Sequence, residues 1–228
     1  MKEDAKITAL KKNALFSSLT FKELLEISGK IVFKNFAKNE LILREEQSNA
    51  FMYIIMDGAA KVIQTTEEGK EIILTVHKSG DFFGELSLID GKTAHATVCA
   101  TKNSSLAIIS KKVFFDLLQA QQKVFDNLLE ILCARLRESM KKITILNFNN
   151  SSQRIKMLFL LLAESHGEKT SEGTTLDIKL IHQDIAAMTG LTRETVTRVL
   201  DKWVRGGEIR ILKNKFIFLK TEFESISL

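Results

Sequence analysis

From Lys111 to Phe148 the chain contains no glycine, and proline is absent from all 228 residues. Without either residue nothing local interrupts a helix. Within that run Phe125, Leu129, Leu132, Leu136, Ser139, Ile143 and Leu146 follow one another at intervals of four and three. This is an a/d heptad seam with one polar interruption, the pattern by which two helices pack side by side. A helix serving only its own domain would show a wider apolar stripe. The segment reads as a dimerisation helix, and it divides the chain, because the residues on either side of it follow different periods.

Before the helix, the punctuation is that of strands. A short helical stretch, Phe21 to Ser28, precedes Phe51-Met52-Tyr53-Ile54-Ile55-Met56, which ends in Asp57-Gly58. Ala60-Lys61-Val62-Ile63 leads to the turn around Gly69, and Glu71-Ile72-Ile73-Leu74-Thr75-Val76 leads to Ser79-Gly80-Asp81. Short β-rich runs separated by glycine turns predict a compact antiparallel roll or barrel. After the helix, Asn147 to Ser152 is polar and short-chained, a natural hinge. A helix is expected over Ile155 to Ala163, a loop from Gly167 to Gly173, and a short strand where Leu176, Ile178 and Leu180 alternate.

His182 to Arg205 fits a helix-turn-helix. Ile185 and the small Ala186 face inward, Gly190 supplies the tight turn, and Leu191, Val196 and Val199 hold the second helix to the core. Thr189 stands where an apolar residue is expected. Thr192 caps the second helix and Gly206-Gly207 ends it. Its exposed face starts with Arg193-Glu194-Thr195 and continues to Thr197-Arg198. Inserted into a major groove, Arg matches the two acceptors of guanine and Glu accepts from the cytosine amino group. Ile209-Arg210-Ile211 and Phe216-Ile217-Phe218 then flank Lys213-Asn214-Lys215, a hairpin wing with a basic tip. From Thr192 to Lys220 eight Lys or Arg stand against three acids, so this segment carries a net charge equal to the whole chain's +5. Such clustering is what neutralising phosphates requires.

Two cysteines, Cys99 and Cys133, cannot supply the four thiolates of an iron–sulfur cluster or Cys-rich zinc site. Their apolar contexts predict buried structural thiols. No apolar run approaches the ~20 residues that cross a bilayer, and Met1-Lys2-Glu3-Asp4 is mixed charge, not a signal core. The expected location is the cytoplasm, with no membrane association. No glycine-rich phosphate loop, metal-spaced cluster or nucleophile elbow is present, so neither catalytic residues nor a metal site is expected and the enzyme class is excluded.

Two motifs in order make the chain resemble the CRP/FNR family of bacterial regulators over almost its whole length. One is Gly80-Asp81-Phe82-Phe83-Gly84-Glu85-Leu86, followed by Leu88-Ile89-Asp90-Gly91 and Ala96-Thr97-Val98. The other is Gln183-Asp184-Ile185-Ala186 with Thr192-Arg193-Glu194-Thr195-Val196-Thr197-Arg198. The resemblance implies an α+β architecture: an antiparallel, cyclic-nucleotide-binding-like β-roll over 1–110, a dimerisation helix and hinge over 111–149, and a winged helix-turn-helix over 150–228. It further implies a homodimer on double-stranded DNA, with half-sites like TGTGA, and RNA polymerase as partner. DNA contacts would come from Thr192, Arg193, Glu194, Thr197, Arg198, Lys202, Lys213 and Lys215. The dimer seam would use Phe125, Leu129, Leu132, Leu136, Ile143 and Leu146.

The effector site departs from the family pattern. Gly84, Glu85 and Leu86 match the turn whose Glu holds a ribose hydroxyl. Where the family's Arg and Ser or Thr clamp a cyclic phosphate, this chain has Ala94 and His95, and where two hydroxyls meet the purine it has Ser139 and Met140. Losing the Arg removes a charge-assisted contact to the anion, which argues against control by cyclic AMP. The iron–sulfur branch needs N-terminal cysteines, and none precedes Cys99. The haem-sensing motif His falls at Leu86, and His77 and His95 read as surface histidines, so haem is not expected. The sequence requires no cofactor and leaves the effector open. Two alternatives remain at this point: a cyclic-nucleotide-responsive activator with Lys92 or His95 as a non-standard phosphate clamp, or a nucleotide-sensing regulatory subunit of a protein partner.

Overall fold

The computed structural model describes residues 3–212 and 216–225. The chain divides into two compact units, Met1–Leu136 and Arg137–Leu228.

The first unit opens with α1 (Glu3–Lys11), a single 3-10 turn (Ala14–Phe16) and α2 (Phe21–Ser28). Thr20 and Glu23 begin α2 as a reciprocal cap, each side chain bonded to the other's backbone N–H. Eight strands follow: β1 (Val32–Phe36), β2 (Leu41–Leu43), β3 (Phe51–Asp57), β4 (Ala59–Thr65), β5 (Glu71–Lys78), β6 (Phe82–Phe83), then α3 (Glu85–Asp90), β7 (Thr97–Ala100) and β8 (Ser104–Ser110). Among the described residues they form two antiparallel sheets, ordered β1-β8-β3-β6 and β2-β7-β4-β5. Their inner faces meet over Phe36, Tyr53, Ile55, Val62, Phe83, Val98 and Leu106. This is the β-roll that the glycine-punctuated runs predict.

The helical run after Ser110 is broken once, which its sequence does not announce. α4 (Lys111–Ala120) ends at Gln121, whose backbone leaves the helical region (φ −129°, ψ 89°), and α5 (Gln122–Leu146) follows. The break needs neither Gly nor Pro. It lets both helices dip into one cluster, with Phe114 and Leu117 of α4 and Val124 and Leu128 of α5 packed on Met52, Ile54 and Phe82. α5 thus buries one face on the roll and leaves a second apolar stripe in solvent. Leu136 is 58% exposed and Ile143 61%, with Phe125, Leu129, Met140 and Leu146 also exposed. Leu132 leans partly into the roll cluster.

In the second unit α6 (Ser151–His166) is longer than expected at both ends. The expected loop at Gly167–Gly173 is instead a hairpin, β9 (Gly167–Thr170) against β10 (Gly173–Leu176). The strand expected over Leu176–Leu180 stops at Leu176. Leu176, Ile178 and Leu180 are buried, but beyond Leu176 their alternation follows an irregular path to the next helix. Period two reports burial on one side, not ladder pairing. Next come α7 (His182–Thr189), α8 (Arg193–Gly206), β11 (Ile209–Ile211) and β12 (Ile217–Lys220). The sheet runs β11-β12-β10-β9, and Ile211 pairs with Ile217 to form the wing. Its tip, with Lys213 and Lys215, lies outside the described residues. The core of this unit is an aromatic trio: Trp203 lies edge-on to Phe223 at 5.3 Å, and Phe159 lies 6.1 Å from Trp203.

Two thiol and histidine expectations are corrected here. Cys99 is half-buried but Cys133 is exposed, because helical period turns it away from the face carrying Leu128 and Ile131. His77 is buried, not on the surface: it pairs with Ala60 of β4 and stacks on Phe83, both in the core between the sheets.

Two glycines with positive φ separate conformational strain from collision. At Gly190 (φ +66°) an added Cβ would meet nothing closer than 3.8 Å, whereas at Gly84 (φ +86°) it would lie 2.7 Å from the Phe51 carbonyl oxygen. Gly190→Ala should therefore cost about 1 kcal/mol, and Gly84→Ala roughly 3 kcal/mol or more. Chemical denaturation checks this, since Trp203 is the only tryptophan and Tyr53 the only tyrosine, so each unit has its own optical probe.

Candidate nucleic-acid interface and effector site

α8 is amphipathic, with a packed side and a charged one. Val196, Val199, Leu200 and Trp203 bury one side. The opposite side carries Arg193, Glu194, Thr197, Arg198, Asp201 and Arg205, which line a shallow concavity of about 480 Å³. The turn before it is set by Gly190 in the left-handed region, whose N–H returns to the Ala186 carbonyl. Thr192 Oγ1 accepts from the Thr195 N–H at 3.2 Å, so the expected cap is present. The misfit at Thr189 resolves in the same turn. The residue is fully buried and its hydroxyl donates to the Ile185 carbonyl at 2.7 Å, which satisfies the polar atom within its own helix. Thr197 Oγ1 donates to the Arg193 carbonyl at 2.9 Å and lies 2.8 Å from His182 Nδ1. Both threonine hydroxyls expected at DNA are thus engaged in holding the helix, and the exposed charges are those of Arg193, Glu194 and Arg198 on the same face. Lys202 is exposed but does not line the concavity, while Asp201 and Arg205, which the sequence reading passed over, do. The helical period alone could have found them: seven and eleven residues separate them from Glu194.

In the roll, Gly84, Glu85 and Leu86 begin α3. Leu86 points outward and is exposed, whereas Glu85 is only 2% exposed. A buried carboxylate demands a partner, and it has one. Arg135 Nη1 of α5 donates to Glu85 Oε1 at 2.7 Å, its Nη2 donates to the Phe82 carbonyl, and its guanidinium lies 4.4 Å from the centre of the Phe82 ring. Sequence reading missed Arg135, since fifty positions separate it from Glu85. On the other side of the same turn His77 stacks on Phe83 at 5.7 Å, and Phe83 stacks on Tyr53 at 5.1 Å. His77 Nδ1 lies 3.6 Å from Asp81 Oδ2, which also accepts from the Lys78 N–H. Burial opposes ionisation of the Asp81 carboxyl. The nearby His77 ring and the hydrogen bond from the Lys78 N–H outweigh it, aided by the Arg135 charge, and hold that carboxyl below its ordinary value. Burial pushes the Tyr53 phenol up.

Ala94 is buried, its backbone tied to Gln47 and Glu46, while His95 is exposed and its carbonyl accepts from Gln64. Lys92 is exposed as well. Ser139 and Met140 belong to the second unit and are exposed there. Among the described residues no cluster of His, Cys, Asp and Glu could hold a metal ion, and no helix is long and apolar enough to cross a membrane.

Comparison with known proteins fits both halves. Residues 33–121 match the cyclic nucleotide-binding domain family, and residues 153–222 match the Crp-like helix-turn-helix domain family. The chain is 34% identical over 165 residues to the cAMP-activated global transcriptional regulator CRP of Pasteurella multocida, covering 72% of this chain and 78% of that one. The chain belongs to the CRP/FNR family. It is a DNA-binding transcription regulator of that type, and the family comprises regulators, not enzymes. Another CRP/FNR relative, the cyclic AMP receptor protein of Thermus thermophilus, is 28% identical over 160 residues, 70% of this chain and 71% of that one. The fold is that of FixK2 from Bradyrhizobium japonicum (TM-score 0.75, 19% identity, 87% of this chain and 98% of that one). It is also that of the c-di-GMP responsive regulator CLP of Xanthomonas campestris (TM-score 0.70, 22% identity, 86% and 97%).

The ion pair gives a direct test. Arg135→Met would strand the buried Glu85 charge, and the first unit should lose about 3 kcal/mol, at the low end for such pairs because the Arg135 side chain keeps 29% of its exposure. Glu85→Gln with Arg135→Met should recover much of that loss in denaturant melts followed at Tyr53.

Proposed function

We propose that the protein acts as a homodimer on a two-fold-symmetric operator with TGTGA-like half-sites and without control by cyclic AMP. It would work in the cytoplasm with RNA polymerase as its protein partner. The functional division is a sensor over 1–110, a dimerisation helix and hinge over 111–149, and a DNA-binding domain over 150–228. Arg193 and Arg198 read guanines, Glu194 accepts from a cytosine amino group, and Thr192 and Thr197 set the helix against the backbone. Lys202, Lys213 and Lys215 neutralise phosphates. The observation that carries this reading is the outward face of α8, where two arginines and one glutamate stand free of the core on a capped, rigid helix.

The dimer reading rests on the second apolar stripe of α5. Phe125, Leu129, Leu136, Ile143 and Leu146, left in solvent along one helix, are costly unless another surface covers them, and the four–three spacing of the seam to which they belong suits a second copy. Leu136→Glu places a charge in that seam and should abolish dimerisation and operator binding together. Sedimentation at micromolar concentration checks it, and a monomeric wild type would overturn it.

The effector reading rests on Ala94. Its buried methyl stands where the family's phosphate clamp would be, and the side chains of Lys92 and His95 face solvent. A buried cyclic phosphate without a countercharge costs several kcal/mol, and each 1.4 kcal/mol is about tenfold in affinity. Curated relatives are named for cyclic AMP and a structural neighbour for c-di-GMP, so the fold does not itself choose the ligand. We expect calorimetry to find no micromolar binding of cyclic AMP, and operator affinity to be the same with and without it. Micromolar binding coupled to a large gain in operator affinity would overturn this and point to Lys92 or His95 as the clamp.

A further inference from the structure

We propose that Asp201 is a base-reading residue that specifies cytosine, adding one position to each half-site. This rests on the reading that α8 enters the major groove.

Four observations lead there. First, on the outward face of α8 the acid stands almost opposite the buried row of Val196, Val199, Leu200 and Trp203, between the lines of Thr197 and Arg205. Second, Glu194, Thr197, Arg198 and Asp201 stand at i, i+3, i+4 and i+7, the spacing with which one helical face addresses successive base edges. A rise of 1.5 Å per residue puts Asp201 about 10 Å beyond Glu194, which is about three base-pair steps. Third, among the described residues the Asp201 carboxylate has no hydrogen bond or ion pair. The neighbouring Arg205 directs its Nε to the Asp201 main-chain carbonyl at 3.2 Å. Fourth, Asp201 is one of only three acids in the strongly basic segment from Thr192 to Lys220.

A free carboxylate facing a polyanion is repelled unless a donor meets it. The major groove offers two donors, the cytosine N4 amino group and the adenine N6 amino group. Adenine sets the acceptor N7 beside its amino group, which repels the second carboxylate oxygen. Cytosine presents the donor alone on its edge, so cytosine is the better match. The carboxylate therefore discriminates in two ways: it is attracted at a cytosine and repelled at a guanine, whose edge carries only the acceptors N7 and O6.

Asp201→Asn tests the idea because it keeps size and removes charge. An amide donates and accepts together, which suits adenine N6 and N7. Full-length wild type, D201N, D201A and R193A would each select from a randomised operator library at one stated salt concentration. At one position per half-site D201N should move the preference from cytosine to adenine by about tenfold, D201A should lose it, and other positions should be unchanged. The inference is overturned if D201N and D201A keep the wild-type preference everywhere while binding all sequences more tightly with a steeper salt dependence. That result would make Asp201 a repelled surface charge. R193A separates the two levels. If it relaxes its own position while D201N shifts none, α8 still reads DNA and only the role of Asp201 fails. If R193A also leaves the preference intact, the assignment of α8 fails and this inference with it.

Discussion

Glu85 is a carboxylate with almost no access to water, at the start of α3 in the β-roll. Its partner, Arg135, comes from α5, fifty residues away, and the same guanidinium covers the Phe82 ring and binds the Phe82 carbonyl. A charge buried this deeply is stable only when paired. One ion pair therefore fixes where the helix lies on the roll, and the apolar contacts of Val124 and Leu128 extend that attachment along the same face. The turn 81–85 is held from both sides, by Arg135 through Phe82 and Glu85, and by His77 through Asp81 and Phe83. Any ligand that entered the roll would have to contend with these interactions.

The two faces of α5 follow from the same geometry. Of its heptad residues only Leu132 packs partly on the roll, beside Val124, Leu128 and Ile131, and Phe125, Leu129, Leu136, Ile143 and Leu146 remain in solvent. The DNA-binding unit solves a similar problem at smaller scale. Trp203 ties α8 to Phe159 and Phe223, Val196 and Leu200 are buried on the same side of the helix, and the buried hydroxyl of Thr189 closes the turn without cost to the core. The outward side chains are thereby left free of packing duties.

Much of this was legible because it depends on neighbours in the chain. The cap at Thr192, the left-handed glycines at Gly190 and Gly207, and the start of α2 behind Thr20 are local physics, and the residues announce them. The strand runs around Gly58 and Gly69 are legible for the same reason. The failures share a different cause. The α4–α5 break at Gln121 has no Gly or Pro to mark it, because tertiary packing of Phe114 against Val124 and Leu128 imposes it. The β9–β10 hairpin reads as loop, since Gly167 to Gly173 is polar and the pair is held to the sheet only through β10, which pairs with β12.

By itself, then, the sequence determined the order of roll, long helix and winged helix-turn-helix, the periods that make each element, and the chemical character of the α8 face. That Ala94 stands where the family resemblance leads one to expect a clamping Arg is likewise a matter of residue type at one place in a motif. Only the tertiary structure decided which charges meet and which stay free. It paired Arg135 with Glu85, turned His77 inward onto Phe83 and Cys133 outward, and left the Asp201 carboxylate without a partner among the described residues. The reason is range: caps and periods act over one or two turns of chain, whereas the burial of a charge is set by surfaces that the chain assembles from distant segments.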